Sequence, residues 1–324
     1  MDPKRPDEPQ VPALPALPDT TPRSGLQRRR VVQALAAGAA ASAGVPGLVQ
    51  AQGGPVRVGY AIARTGPSAG GAQVSQEPNY LLWAEQQNAA GGLNVKGTKR
   101  PIELIGSDDQ SNTETCVRTY EKLMGSDKVD LVLPPWGSNA NFAVAPLANR
   151  MGYPFLAPTA LSRRLIEMKL PYFFLMLQQP KPMMDALVDM LKANGAKTAV
   201  VIYVDDLFGL ENYAALKVAL AGTGIGIVED KSYPLGVKDL SPVLRSMKDK
   251  NPDAFIGLTY PPDTILASRQ SKEIGFNPKF FYASVGTAFQ LYRNVMGPAA
   301  EGVLGMGSWN GKTSPGAKAY FDAH

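Results

Sequence analysis

The 324-residue sequence contains one histidine, His324 at its last position, and one cysteine, Cys116. A single cysteine excludes an intrachain disulfide framework. The lack of an internal histidine removes the usual base for a Ser or Cys nucleophile and the usual imidazole ligand of a metal. No phosphate-cradling Lys loop occurs. The cluster Gly222-Thr223-Gly224-Ile225-Gly226 follows a helical pattern and precedes a strand, the reverse of a dinucleotide-binding turn. These absences lead us to expect no enzyme, no cofactor and no metal. Charge is also sparse: residues 1–51 hold six of the 33 Lys and Arg and four of the 28 Asp and Glu, leaving a net +3 on the rest. That rest lacks the concentrated basic face, interleaved with aromatics, of a nucleic-acid binder.

Long apolar runs are missing too. The most apolar candidate, residues 31–48, is rich in Ala and Gly and is interrupted by Gly44, Pro46 and Gly47, which suits a bilayer span poorly. It follows Arg28-Arg29-Arg30 and ends in Val49-Gln50-Ala51, the basic, apolar and small-residue order of a signal peptide. The paired arginines resemble a twin-arginine export signal. Residues 1–25, rich in Pro and polar residues, are expected to be disordered, so residues 1–51 read as a disordered start plus signal. The mature chain is expected in the periplasm as a soluble monomer.

With 44% hydrophobic residues, that mature chain has enough to build a core. The stretch at residues 129–162 organises it. Residues 129–133 read as a buried strand, Trp136-Gly137-Ser138-Asn139 as a turn, residues 141–151 as a helix, and residues 154–157 as a second strand leading to Pro158-Thr159. Both strands would deliver small and hydroxyl-bearing residues to one edge of a parallel sheet, where open α/β sheets bind ligands. The helix start adds unsatisfied amide N–H groups and the positive end of its dipole. Together these read as half of a site for a small anion, a carboxylate.

The remainder repeats the pattern. Residues 56–62 read as a strand, 76–90 as a helix with Pro78 in its first turn, 101–106 as a strand and 113–124 as a helix that buries Cys116. Later come a helix at 180–194, a strand at 198–204, a helix through Tyr213 and Leu220, and a strand at 226–233. A helix with Ser241 as N-cap and Pro242 first, a strand at 254–260, a helix to Ile274 and a strand at 280–284 complete it. Alternating strands and helices predict doubly wound parallel sheets.

The succession RTGPSAGG, NAAGGLNVKG, IELIGSDDQSN, KVDLVLPPWGSN and FLAPTALS resembles the branched-chain amino acid type of bacterial periplasmic binding proteins, which feed ABC importers. The resemblance runs to about Leu304. It implies an α/β, type I periplasmic binding protein fold with two doubly wound parallel-sheet lobes joined by a hinge. The lobes fall at residues 52–177 and 178–304, with the ligand in the cleft between them. Residues 305–324, with Gly302 to Trp309 at their head, would begin a return to lobe 1. The remainder of that lobe is expected to be absent, exposing apolar surface. The implied partners are a small-molecule ligand, an organic acid or an amino acid, and ABC permease subunits. An alternative is an exported sensing module for α-amino acids that presents its closed state to a receptor.

By the same resemblance, Ser138 with its neighbours Gly137 and Asn139, and Ala157 and Thr159 after the second strand, hold a ligand carboxylate. Leu161 stands where a further hydroxyl is expected, leaving Thr159 or Ser162 to supply it. Trp136 supplies an apolar wall or packs in the core, while Phe208, Thr259 and Tyr260 provide lobe-2 contacts. Ser284 occupies the place of the carboxylate that neutralises a ligand ammonium, so the expected ligand is a carboxylate without an amino group. Asp205 and Asp206 are expected to be solvated turn residues.

Overall fold

Two parallel sheets account for most of the long-range pairing in the computed structural model, which describes residues 53–307 and 311–323. The disordered start and export signal expected over residues 1–51 lie outside the described residues.

The first sheet has the order β4-β1-β5, built from β1 (Val56–Ile62), β4 (Ile102–Asp108) and β5 (Leu131–Val132). Val56 pairs with Ile102 and Ile62 with Asp108, so both long strands end at the same edge. Their connection runs through α1 (Ala69–Ser75), α2 (Glu77–Ala89) and a small hairpin of β2 (Leu93–Val95) and β3 (Thr98–Arg100). A helix α3 (Thr113–Glu121), extended by a π turn over Lys122–Ser126, leads to β5. Cys116 and Tyr120 on α3 are fully buried, as expected of the apolar face of an amphipathic helix.

Two corrections concern this half. The strand expected at residues 129–133 narrows to Leu131–Val132, and Leu131 is 38% exposed. The Leu133 amide still donates to the Gly59 carbonyl at 2.9 Å, and Pro134 and Pro135 beyond it lack the N–H to extend the ladder. The second strand, β6 (Phe155–Ala157), does not join the first sheet. It pairs in parallel with β7 (Phe173–Leu175) across the short helix α5 (Arg163–Glu167). Phe155 and Ala157 are buried on one face of this ladder, while Leu156, Phe174 and Met176 are exposed on the other.

The second sheet has five parallel strands in the order β12-β11-β10-β8-β9. These are β8 (Thr198–Val204), β9 (Gly226–Tyr233), β10 (Ala254–Leu258), β11 (Phe280–Ala283) and β12 (Val303–Leu304). Helices α6 (Pro180–Ala193), α7 (Leu207–Leu220), α8 (Ser241–Asp249) and α9 (Pro261–Glu273) connect and cover the strands. The apolar run of β8 is nearly all buried, and α6 buries Met184, Leu187, Val188 and Leu191, the face its spacing predicts. Helix α8 begins one residue earlier than expected: Leu240 is its N-cap and Ser241 its first residue. Asp239 Oδ1 instead accepts from the Ser241 amide at 2.9 Å.

Helix α10 (Gln290–Met296) precedes β12, and α11 (Pro315–Ala323) follows it. Val303 and Leu304 close the stretch assigned to lobe 2, just where the Gly302 to Trp309 segment was expected to lead back to lobe 1. They add the edge strand of the second sheet, pairing with Phe281 and Tyr282. Trp309 lies outside the described residues. Among the described residues no helix is long and apolar enough to cross a membrane.

The two halves meet across one continuous apolar cluster. Tyr60, Ile62, Trp136 and Leu161 from the first half pack with Val204, Phe208 and Tyr260 from the second. Two further contacts leave no room for side chains: a Cβ on Gly70 would lie 2.8 Å from Pro262, and one on Gly236 would lie 2.8 Å from Pro67. The halves are therefore closed on each other.

Candidate functional site

The closed cleft is built around the bend after β5. Gly137 adopts φ +85°, a left-handed value that favours glycine. This reverses the chain so that α4 (Ser138–Arg150) starts directly after it. Asn141 Nδ2 secures the bend by donating to the Pro135 and Gly137 carbonyls, each at 2.8 Å. The amides of Ser138, Asn139 and Ala140 open the helix and have no protein acceptor among the described residues. They form a cluster of donors at the positive end of the helix dipole.

A cavity of about 60 Å³ lies at this helix start. Ser68, Asp109, Trp136, Ser138, Asp206 and Tyr260 are among its walls, so it draws on both halves. Trp136 Nε1 donates to Ser75 Oγ at 2.9 Å, and its ring passes so close to α1 that a Cβ on Gly71 would lie 2.3 Å from it. The Trp136 and Tyr260 ring centroids are 4.8 Å apart, and Phe208 stacks on Tyr260 at 4.7 Å. Trp136 thus serves both as cavity wall and as core, which unites its two expected roles.

Tyr260 Oη donates to Asp206 Oδ2 at 2.8 Å, and the Gly209 amide donates to Asp206 Oδ1 at 2.9 Å. Asp206 is therefore the N-cap of α7 and a cavity wall at once. Asp205 is exposed, as expected of a solvated turn residue, but Asp206 is not one. Burial raises the pKa of Asp206, opposed by the Gly209 amide and the Tyr260 hydroxyl. Across the cavity, burial pushes Asp109 up to about 6, although its Oδ1 accepts from the Ser111 amide at 2.8 Å. Burial, together with Asp206 and Asp263, holds the Tyr260 phenol well above its ordinary pKa, so it stays a donor. The cavity walls include these two acids and no Lys or Arg among the described residues.

The structure brings Trp136, Gly137, Ser138, Asn139 and Tyr260 together on the cavity, with Phe208 behind Tyr260. Several of their polar atoms are already engaged. Ser138 Oγ accepts from the Leu161 amide at 3.0 Å. Thr159 Oγ1 donates to Gln76 Oε1 and accepts from the Gly137 amide at 3.4 Å, bracing the bend from behind. Asn139 Oδ1 accepts from the Leu207 amide of the opposite half at 3.0 Å. Ala157 is fully buried in β6.

Thr259 and Ser284 stand apart from the cavity. Ser284 Oγ accepts from the Thr259 amide at 2.9 Å and donates to its carbonyl at 3.0 Å, while Thr259 Oγ1 pairs with Thr264 Oγ1 at 2.7 Å. Both residues are almost wholly buried within the second half. The expected ligand without an amino group was argued from the missing acid at Ser284. Asp109 and Asp206 bring two acids to the cavity from other positions, so the acid missing at Ser284 does not by itself decide the ligand. Sequence reasoning gave Asp109 and Gln76 no role at the site and read Asp206 as a solvated turn residue. An Asp three residues before Gly209, at the end of a buried strand, is an N-cap signal that could have marked Asp206. Among the described residues no cluster of His, Cys, Asp and Glu is arranged to hold a metal ion.

The sequence pattern of the periplasmic binding protein family matches residues 55–324. The chain belongs to that family. A relative described as Leu/Ile/Val-binding protein homolog 8 of Brucella abortus is 23% identical over 206 residues, 61% of this chain and 50% of the relative. The chain thus spans about half the length of the first curated relatives it matches. A Rhodopseudomonas palustris solute binding protein of an ABC transporter, solved with benzoate, is 18% identical with a TM-score of 0.74. That alignment covers 83% of this chain and 73% of the other. The branched-chain amino acid transporter substrate binding protein of Streptococcus pneumoniae, solved with isoleucine, is 22% identical with a TM-score of 0.69, covering 83% and 76%. These likenesses establish the type I periplasmic binding protein fold, a ligand-binding architecture.

Proposed function

We propose that this chain is an exported solute-binding protein that captures a small carboxylate-bearing ligand between its lobes, residues 52–177 and 178–304. It then delivers the ligand to an ABC-type permease. The carrying observation is the set of unaccepted amides of Ser138, Asn139 and Ala140 at the cavity, beside the packed rings of Trp136, Tyr260 and Phe208. Amides fixed before binding replace the water around an anion without rearranging, and the rings accept an apolar body. Export is by the twin-arginine-like signal, and the protein acts in the periplasm as a monomer without cofactor or metal. Loss of the closing contacts opens the hinge for entry and release. The solved relatives bound to benzoate and to isoleucine support both an organic acid and an amino acid as ligand class.

A second reading, an α-amino acid ligand, is favoured by Asp206 and Asp109. Two acids on the cavity, Asp109 buried and Asp206 half-buried, with no basic wall residue suit a ligand that brings a hydrogen-bond donor as well as a carboxylate. In that form the protein serves as a sensing module that presents its closed state to a receptor. Calorimetric titration of the full chain separates the readings. Benzoate or isoleucine is expected to bind at about 10 μM or tighter, roughly −7 kcal/mol. Benzamide, which has the same ring without the charge, is expected to bind at least about a hundredfold more weakly. Equal binding of benzoate and benzamide, with no binding of isoleucine, would remove the carboxylate from the account.

A further inference from the structure

One carboxylate of the second half holds the segment that supports the Ser138 bend. Glu211, on α7, accepts from Ser162 Oγ at 2.7 Å, from the Arg163 amide at 2.5 Å and from the Arg164 amide at 3.4 Å. Ser162 is the N-cap of α5, yet its side chain makes no capping bond of its own. The acceptor that this helix start needs comes instead from the opposite lobe. One residue earlier, Leu161 bonds Ser138 Oγ through both its amide, at 3.0 Å, and its carbonyl, at 3.3 Å. Two residues before that, Thr159 holds the Gly137 amide. Residues 159–162 therefore tie Glu211 on one side to the bend on the other. Glu211 itself is not among the cavity walls.

We propose that Glu211 is a positioning residue, an interlobe latch. It forms its bonds only when the lobes close, and through residues 159–162 it fixes the bend that carries the Ser138 to Ala140 amides. The contribution to ligand residence time rests on the proposed function, whereas the latch itself does not. Arg163 is exposed and its side chain pairs with Glu167 at 2.7 Å, so it does not compete for Glu211. A charged acceptor shared by three donors is among the stronger hydrogen-bonding arrangements. Losing it acts on separation of the lobes more than on encounter with ligand.

The test compares the full chain with Glu211→Gln, Ser162→Ala and the double variant. Glutamine keeps the side-chain shape but removes the charge and one acceptor oxygen. Without added ligand, hydrogen exchange at the Arg163 amide is expected to quicken about tenfold in Glu211→Gln. Exchange in the β8 core should stay unchanged. With isoleucine or benzoate, whichever saturates the parent chain, the dissociation rate is expected to rise about tenfold while the association rate holds. The double variant should lose less than the sum of the two single changes, since Ser162 is one of the three donors that Glu211 serves. Unchanged exchange at Arg163 overturns the latch whether or not either probe binds. A lowered melting temperature with unaltered exchange and dissociation rates overturns it as well. Failure of both probes to bind, with exchange quickened as stated, leaves the latch standing and counts against the ligand reading alone.

Discussion

Replacing Tyr260 with alanine is expected to weaken ligand binding about a hundredfold, close to 2.8 kcal/mol, and to lower the stability of the free protein by about 3 kcal/mol. The ring lies between Trp136 of one lobe and Phe208 of its own, with centroid separations of 4.8 and 4.7 Å, and is only 6% exposed. Its removal opens a gap in the apolar cluster that joins the halves, and Trp136 loses its partner across the cleft. The change also takes the hydroxyl donor from Asp206, leaving a half-buried carboxylate with the Gly209 amide as its remaining side-chain-capping partner. Tyr260→Phe separates the two losses. It keeps the stack and loses the hydroxyl, so it is expected to cost about 1 to 2 kcal/mol in stability and only a few-fold in affinity. Calorimetry and thermal melts of the two variants provide the check. A phenylalanine variant as impaired as the alanine variant would show that Asp206, not the stack, governs the site.

Gly209→Ala is expected to be the most damaging small substitution in the second half. A Cβ there would lie 1.9 Å from the Val204 carbonyl oxygen and 2.9 Å from its carbon, atoms of the backbone that closes β8. No side-chain rotation relieves such a clash, so the start of α7 must move away from the sheet. Asp206, Phe208 and Glu211 would move with it. A shift of this kind costs about 3 kcal/mol, near the upper end for overpacking. In a domain of this size that corresponds to a melting temperature lower by roughly 6–12 °C. Gly226→Ala supplies the control, because a Cβ at Gly226 would meet nothing within 4 Å. It should stay within about 0.5 kcal/mol of the parent. A Gly209→Ala protein that melts within about a degree of the parent would refute the packing argument.

Residues whose role follows from local pattern were legible before the fold was known. Strand β8 spans Thr198–Val204 as its unbroken apolar run predicts, and α6 buries the four side chains that its period singles out. The Ser138 bend was legible in part: a turn was expected at Trp136 to Asn139, but the helix expected from residue 141 starts at Ser138. What escaped depended on the other lobe or on direction. Asp206 differs from its neighbour Asp205 in sequence only by its N-cap spacing, and the approach of Tyr260 and the cavity completes the distinction. Thr259 and Ser284 do follow β10 and β11, but their side chains bond within the second half instead of reaching the cleft. Helix α1, Ala-Gly-Gly-Ala-Gln-Val-Ser, has little helix propensity of its own. It lies against Trp136, where Gly71 leaves room for the ring and Ser75 accepts the indole N–H. The separate β6–β7 ladder was not legible, because which neighbour a short parallel strand pairs with depends on tertiary packing.

Amide chemical shifts of the 15N-labelled chain, followed during titration with isoleucine and with benzoate, bear most directly on the site. The account predicts saturable shifts at Ser138, Asn139 and Ala140, accompanied by the Trp136 indole N–H, with at least one of the two ligands. Saturable binding that leaves those four signals in place, with the shifts confined elsewhere, would contradict it.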